Sequence, residues 1–301
     1  MKVAIAVDGS RSSFEAMKLL SRLPFSFEEV HVLSVASIVE VNSPYSLTAK
    51  EIAFNAQVTR AANTLLLELK DHWDLCGREV AKTHLIAGNP AEKILNFLAS
   101  ESIDLLALGA RGTNESGLFN LGAIASAVAN HSFCSILLHR GQSDTSWSPT
   151  KPLDLLLPFD ISDATKYVVD VLAACDKEKI VSADFVHYIL HKLCYGIDCS
   201  DSTKEDWPDK KKAIEKAAVA AQKLLSGPNL ATRFHMTLGV EDIASAISRD
   251  AVTRAKDIIV MGTNNRSWYH RLALGSVSSR LMHHSERPIL VLKNSKHAKP
   301  S

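Results

Sequence analysis

Short apolar runs alternate along this chain with longer segments whose apolar residues recur every three or four positions. The runs Lys2 to Val7, Glu29 to Val35, Val80 to Ile86 and Ile258 to Met261 carry β-branched residues, the first and last stopping at Asp8 and Gly262, which predicts short buried strands. Between them, Ser12 to Leu23 places Phe14, Ala16, Met17 and Leu20 at helical spacing behind a serine cap. Helices are also predicted from about Thr48 to Trp73 and, after the Gly88-Asn89-Pro90 turn, over Ala91 to Ala99. Alternating helices and non-alternating strands predict an α/β fold: a mainly parallel sheet with helices on both faces, joined by right-handed crossovers.

One pattern occurs twice. Asp104 to Arg140 and Asp257 to Lys293 each run strand, loop, helix, strand, and Asp104/Asp257, Gly109/Gly262, Gly122/Gly275 and Leu137/Leu290 are all 153 residues apart. The second half otherwise restarts the first, with strands at Leu153 to Leu157, Ile180 to Tyr188 and Arg233 to Leu238. Its helices are expected at Asp163 to Ala174, about Pro208 to Leu225, and Asp242 to Ser248. Two tandem domains follow, 1–140 and 153–293, with the Pro-containing polar stretch 141–152 as linker and 294–301 as tail. The repeated unit sets a helix N-terminus beside the carboxyl end of a parallel strand, where backbone N–H groups and the positive dipole end suit phosphate. Gly275 lets the backbone come close there, and Ser276 adds a hydroxyl.

Composition narrows the function. With 46% hydrophobic and 22% charged residues each half can build a core, and 34 basic against 33 acidic residues leave no global field for nucleic acid or anionic lipid. No run approaches membrane-spanning length, and the apolar stretch after Met1-Lys2 is too short for a signal core, so a cytoplasmic protein without membrane insertion is expected. Five cysteines, an odd and sparse set, point to reduced thiols. No Walker lysine motif and no defensible Ser-His-Asp order is present, so no catalytic residue is assigned.

The Asp8 and Asp160 strand ends and the twice-repeated glycine loop resemble the universal stress protein family, over essentially the whole chain, as a tandem member. The resemblance implies two Rossmann-like domains of the adenine nucleotide alpha hydrolase type, each with an open five-stranded sheet. It also implies a loop written G-x-x-G, nine residues, G-S/T that holds ATP, with or without magnesium. In the second half Gly262 fills the first position, Asn265 replaces the second glycine with Asn264 beside it as a further candidate, and Gly275-Ser276 complete the loop. By resemblance Pro158 and Asp160 hold the adenosine end, Met261 walls the base, and Gly262, Gly275, Ser276 and the N–H of Val277 hold phosphate. Tyr188 stands where the family often has a small Val, as Val35 does in the first half, and narrows the base pocket. The first half keeps Asp8, Gly109, Gly112 and Gly122 but has Ala123 in place of the hydroxyl. The second half is therefore the expected nucleotide site.

Other readings stay open beside these. The loop glycines also serve tight turns, and Asp8 and Asp160 also suit helix caps. His187, His191, Cys194 and Cys199 are zinc-type ligands in a short span, though at no standard spacing, and His187 also suits strand packing. The resemblance implies a stress-response regulator or sensor whose halves pair through Ser135 to His139 and Pro288 to Leu292, and a homodimer is compatible with it. A module for a lipid-like or other small metabolite, and a weak ATP hydrolase, are the alternatives.

Overall fold

The computed structural model describes residues 1–38, 47–75, 82–112, 121–140, 148–190, 207–239, 242–263 and 275–294. The chain divides near Pro149 into two compact units. In the first, strands β1 (Lys2–Val7), β2 (Glu29–Ala36), β3 (Lys82–Ala87), β4 (Leu105–Gly109) and β5 (Ser135–His139) alternate with helices α1 (Arg11–Arg22), α2 (Ala49–Leu75), α3 (Pro90–Ser100) and α4 (Ala123–His131). The strand order is β3-β2-β1-β4-β5, and the four neighbouring pairs are parallel. Strand β1 lies inside the sheet, so Val3, Ala4 and Ile5 are fully buried; the continuous apolar run reflects cover on both faces. Helices α1 and α2 pack on the strands, and α3 packs with α4.

The second unit repeats this plan with β6 (Leu153–Pro158), β7 (Ile180–Leu190), β8 (Ala231–Gly239), β9 (Ile258–Gly262) and β10 (Ile289–Leu292). Its helices are α5 (Asp163–Ala173), α6 (Trp207–Leu225), α7 (Ile243–Thr253) and α8 (Ser276–His284), with a short 3-10 turn at Lys177–Lys179. The order is β10-β9-β6-β7-β8, with parallel pairs throughout. The expected α/β class is therefore present in both units. Helix α7 runs on to Thr253, past the expected end at Ser248. Its buried Ala244, Ile247 and Ala251 continue one stripe, and the polar Asp250 that masks it in the sequence accepts a hydrogen bond from the Tyr188 hydroxyl at 3.3 Å.

The duplication extends to individual joints. Asp104 accepts the N–H of Lys2 at 2.8 Å while its own N–H donates to the Lys2 carbonyl; Asp257 and Asp154 make the same exchange, with Asp154 N–H to Asp257 Oδ2 at 3.0 Å. Each carboxylate thus satisfies a donor at the start of the central strand. Ser102 and Ala255, also equivalent, both have left-handed φ values, 54° and 50°, just after a helix end where glycine is the usual choice.

A left-handed φ costs an alanine about 1 kcal/mol, partly offset in a glycine variant by greater freedom of the unfolded chain. Ala255→Gly should therefore raise stability by up to about 1 kcal/mol in denaturant titration, and a loss of stability would contradict the strain. His139, at the end of β5, has its pKa lowered from 6.5 to about 4 by burial and then by the nearby Lys18 charge. The unfolded chain takes up this proton below 6.5 while the native state resists it until about 4, so stability falls as pH drops through that window, by about 3 kcal/mol. His139→Leu, which copies Leu292 of the second unit, should flatten that part of the pH–stability curve.

Candidate functional site

In each unit the parallel strands deliver β-strand ends and helix N-termini to one edge. At the carboxyl end of β6 the chain passes through Pro158 and buried Phe159 to the exposed Asp160. Asp160 Oδ1 accepts the Ser162 N–H at 3.0 Å, the Ser162 hydroxyl, and the Thr165 hydroxyl at 2.6 Å, while Ser162 caps α5. Partial burial alone would raise the Asp160 pKa, but these hydroxyl and N–H donors and the charge of His187 outweigh it and hold the carboxyl below its ordinary value. All recorded donors go to Oδ1, and Oδ2 takes none among the described residues. His187 of β7 lies 2.8 Å through Nδ1 from the Phe159 carbonyl. A carbonyl only accepts, so Nδ1 carries the hydrogen and Nε2 is left for another contact.

Helix α5 then settles on the end of β9. A Cβ on Gly262 would lie 2.5 Å from the Ala164 carbonyl oxygen and 2.9 Å from its carbon, so this glycine is required by the approach of a helix backbone. Gly275 is different. Its φ is −60°, which any residue adopts, and among the described residues a Cβ there would meet only Ser278 Oγ at 3.5 Å, an ordinary contact. It is the N-cap of α8, yet no side chain caps that helix, and Ser276 next to it is exposed with no recorded hydroxyl partner. Side chains cap α1 (Ser10), α3 (Asn89), α5 (Ser162) and α7 (Asp242), and Thr48 with Glu51 forms a capping box at α2. Only α4 and α8 lack a side-chain cap among the helices whose N-cap is described.

The first unit assembles the same parts. Asp8 Oδ1 accepts the Ser10 N–H at 3.0 Å, and its Oδ2 stands 3.1 Å from where a Gly112 Cβ would lie. Gly109 admits the first turn of α1, whose Ser12 Oγ would be 2.3 Å from a Cβ there and donates to the Arg111 carbonyl. The N–H of Gly122 closes the loop on the Ala110 carbonyl at 2.8 Å, and exposed Ala123 opens α4 without a hydroxyl. Asp8, Gly109, Gly112 and Gly122 are thus tied together by contacts.

Several other expected residues have different surroundings. Met261 is only 9% exposed and belongs to the core. Tyr188 is half-buried, and its hydroxyl is tied to Asp250 of α7; burial and then the Asp250 charge push its pKa up. Val35 is half-buried in β2, and Val277 in the first turn of α8. Asn264, Asn265, His191, Cys194 and Cys199 lie outside the described residues, as do Arg266 and Arg271. Arg280 pairs with Asp242 at 3.5 Å. Sequence reasoning missed Arg111 and Arg140, which lie near each other at the ends of β4 and β5. The Arg140 pKa falls to about 10 through burial and then the Arg111 charge. The position of Arg111 inside the Gly109–Gly112 loop was the available signal.

The family described as Universal stress protein family matches residues 1–140 and again 154–293. A universal stress protein of Archaeoglobus fulgidus aligns over 97% of this chain and 96% of its own, with a TM-score of 0.65 and 18% identity. A Pseudomonas aeruginosa protein solved as a universal stress protein aligns over 98% and 94%, with a TM-score of 0.61 and 13% identity. At these identities the likeness to solved structures shows the fold.

The two glycines of the second loop should separate on substitution. Gly262→Ala drives a methyl into the Ala164 backbone and should cost about 1–3 kcal/mol or more, read as a lowered Tm. Gly275→Ala should leave Tm nearly unchanged. Equal losses would show that Gly275, too, is fixed by packing.

Proposed function

The chain belongs to the universal stress protein family, which places it in the stress response, and on that premise we propose that its second unit binds ATP and acts as a nucleotide-dependent regulator or sensor. The observation that carries this reading is Gly275. Its backbone conformation does not require glycine, nor does its packing among the described residues, and it is an N-cap that offers no side chain. A helix start with no side-chain cap, a positive dipole end and no Cβ in the way suits a phosphate group. The exposed Ser276 hydroxyl supplies a further donor, and magnesium would accompany the phosphates. At the ends of β6 and β7, Asp160 Oδ2 and His187 Nε2 offer polar contacts for the nucleoside. Asp160 is already oriented by three donors, so it meets a ligand without having to be ordered first. The first unit has the same uncapped helix start but presents Ala123 in place of the hydroxyl.

Hydrogen bonds to charged oxygens contribute about 1.5–3 kcal/mol each. Gly275→Val places a branched side chain at the N-cap and should weaken Mg-ATP binding at least about tenfold in calorimetric titration of the full chain. Gly122→Val should leave that binding in place. Loss only with Gly122→Val would move the site to the first unit, and an intact protein that takes no ATP would sink the reading.

A further inference from the structure

The second unit also gathers basic groups at the other end of its strands. Asp184 of β7 is 2% exposed, and Lys256, 3% exposed in the α7–β9 connection, reaches its Oδ2 at 3.1 Å. Lys256 Nζ also donates to the Ser182 hydroxyl at 2.8 Å, and that hydroxyl donates to Asp154. This buried floor is neutralised internally. Above it stand three groups that are progressively more exposed and barely engaged. Arg254 Nη1 is 3.9 Å from Asp184 Oδ2, His235 Nε2 is also 3.9 Å away, and Arg233 Nη1 is 3.5 Å from Oδ1. Arg254 Nε stands 3.8 Å from Asp250, whose carboxylate takes the Tyr188 hydroxyl.

Two observations show that Asp184 does not account for these groups. His235 Nε2 is buried and has no hydrogen-bond partner among the described residues, a state that in native proteins calls for an ion or water. The surrounding field is also positive. The imidazolium of His235 is disfavoured by burial and then by Arg254, with Arg233 and Lys256 adding to the effect and only Asp184 opposing it. A neutral imidazole here can donate from Nε2. The duplicated unit provides an internal control. By register and spacing, Asp184, Arg233, His235, Arg254 and Lys256 correspond to His31, Lys82, His84, Glu101 and Ile103. There the buried His31 is satisfied by ring-to-ring contact with His84 at 3.0 Å and by Glu29 at 3.2 Å. The scaffold therefore does not need two guanidinium groups at this position.

We propose that the second unit carries an oxyanion site, suited to a phosphate group, in which Arg233, Arg254 and His235 supply the donors above the Lys256–Asp184 ion pair. Guanidinium forks match the oxygen spacing of a tetrahedral anion, and an oxygen facing His235 Nε2 fills the one orphaned donor. The site lies at the amino ends of the strands, whereas the α8 start lies at their carboxyl ends, so the two are separable by mutation.

Inorganic phosphate and glycerol phosphate would each be titrated into the full chain at constant ionic strength, with the ring nitrogen signals of His235 followed by NMR. The site predicts saturable shifts at His235 that persist in Gly275→Val. In an Arg233→Gln/Arg254→Gln variant, which keeps the Lys256–Asp184 floor, the apparent affinity should fall at least about tenfold per guanidinium removed. Preference for glycerol phosphate would identify a phosphorylated metabolite as the ligand, and preference for inorganic phosphate the free ion. Absence of saturable shifts with either compound, or shifts unchanged in the double variant, would overturn the site and leave water as the partner of His235.

Discussion

In each half of this protein one backbone-to-backbone approach sets everything that follows at the carboxyl edge of the sheet. The first turn of α5 lies so close to the end of β9 that a Cβ on Gly262 would sit 2.5 Å from the Ala164 carbonyl; in the first unit α1 crowds Gly109 in the same way. That contact fixes the loop carrying Asp160, because Ser162 and Thr165 of the same turn orient its carboxylate. Helix, strand end and acidic residue are therefore positioned as one piece. A side chain at either glycine would separate them.

Against this shared frame the two halves differ in chemistry at equivalent places. Their strand entries are locked by Asp104 and Asp257, and their α4 and α8 ends close on the same backbone bonds, through Ser132 and Ser285. Yet a hydroxyl follows the uncapped glycine in the second half and a methyl in the first. Two stacked histidines fill one buried position, and an ion pair with overhanging arginines fills its counterpart. Parallel β-sheet geometry accepts all of these, because the backbone joints do not involve the varied side chains.

Helices α4 and α8 forgo a side-chain cap, a loss usually costing about 1 kcal/mol when Ala replaces a capping residue and a few tenths when Gly does. The other helices whose N-cap is described are capped by Ser10, Thr48, Asn89, Ser162 and Asp242. At α8, local stability is given up at the helix start proposed above to meet a ligand.

The amino-acid sequence by itself determined the elements, their α/β class and the duplication, because apolar periodicity, caps and glycine stops are local signals, and a constant spacing of 153 residues survives any folding. It also singled out Asp8, Asp160, Gly122 and Gly275. It could not tell Gly262 from Gly275, since one is held by the α5 backbone and the other, among the described residues, meets only Ser278 Oγ at an ordinary distance. Nor could it show that the Tyr188 hydroxyl is spent on Asp250, or end α7 correctly, because Asp250 reads as polar until its partner is known. The grouping of Asp184, Arg233, His235, Arg254 and Lys256 joins β7, β8 and the α7–β9 connection across more than 70 residues of chain. Such a site is made by strand register and helix placement, and only the tertiary structure could decide it.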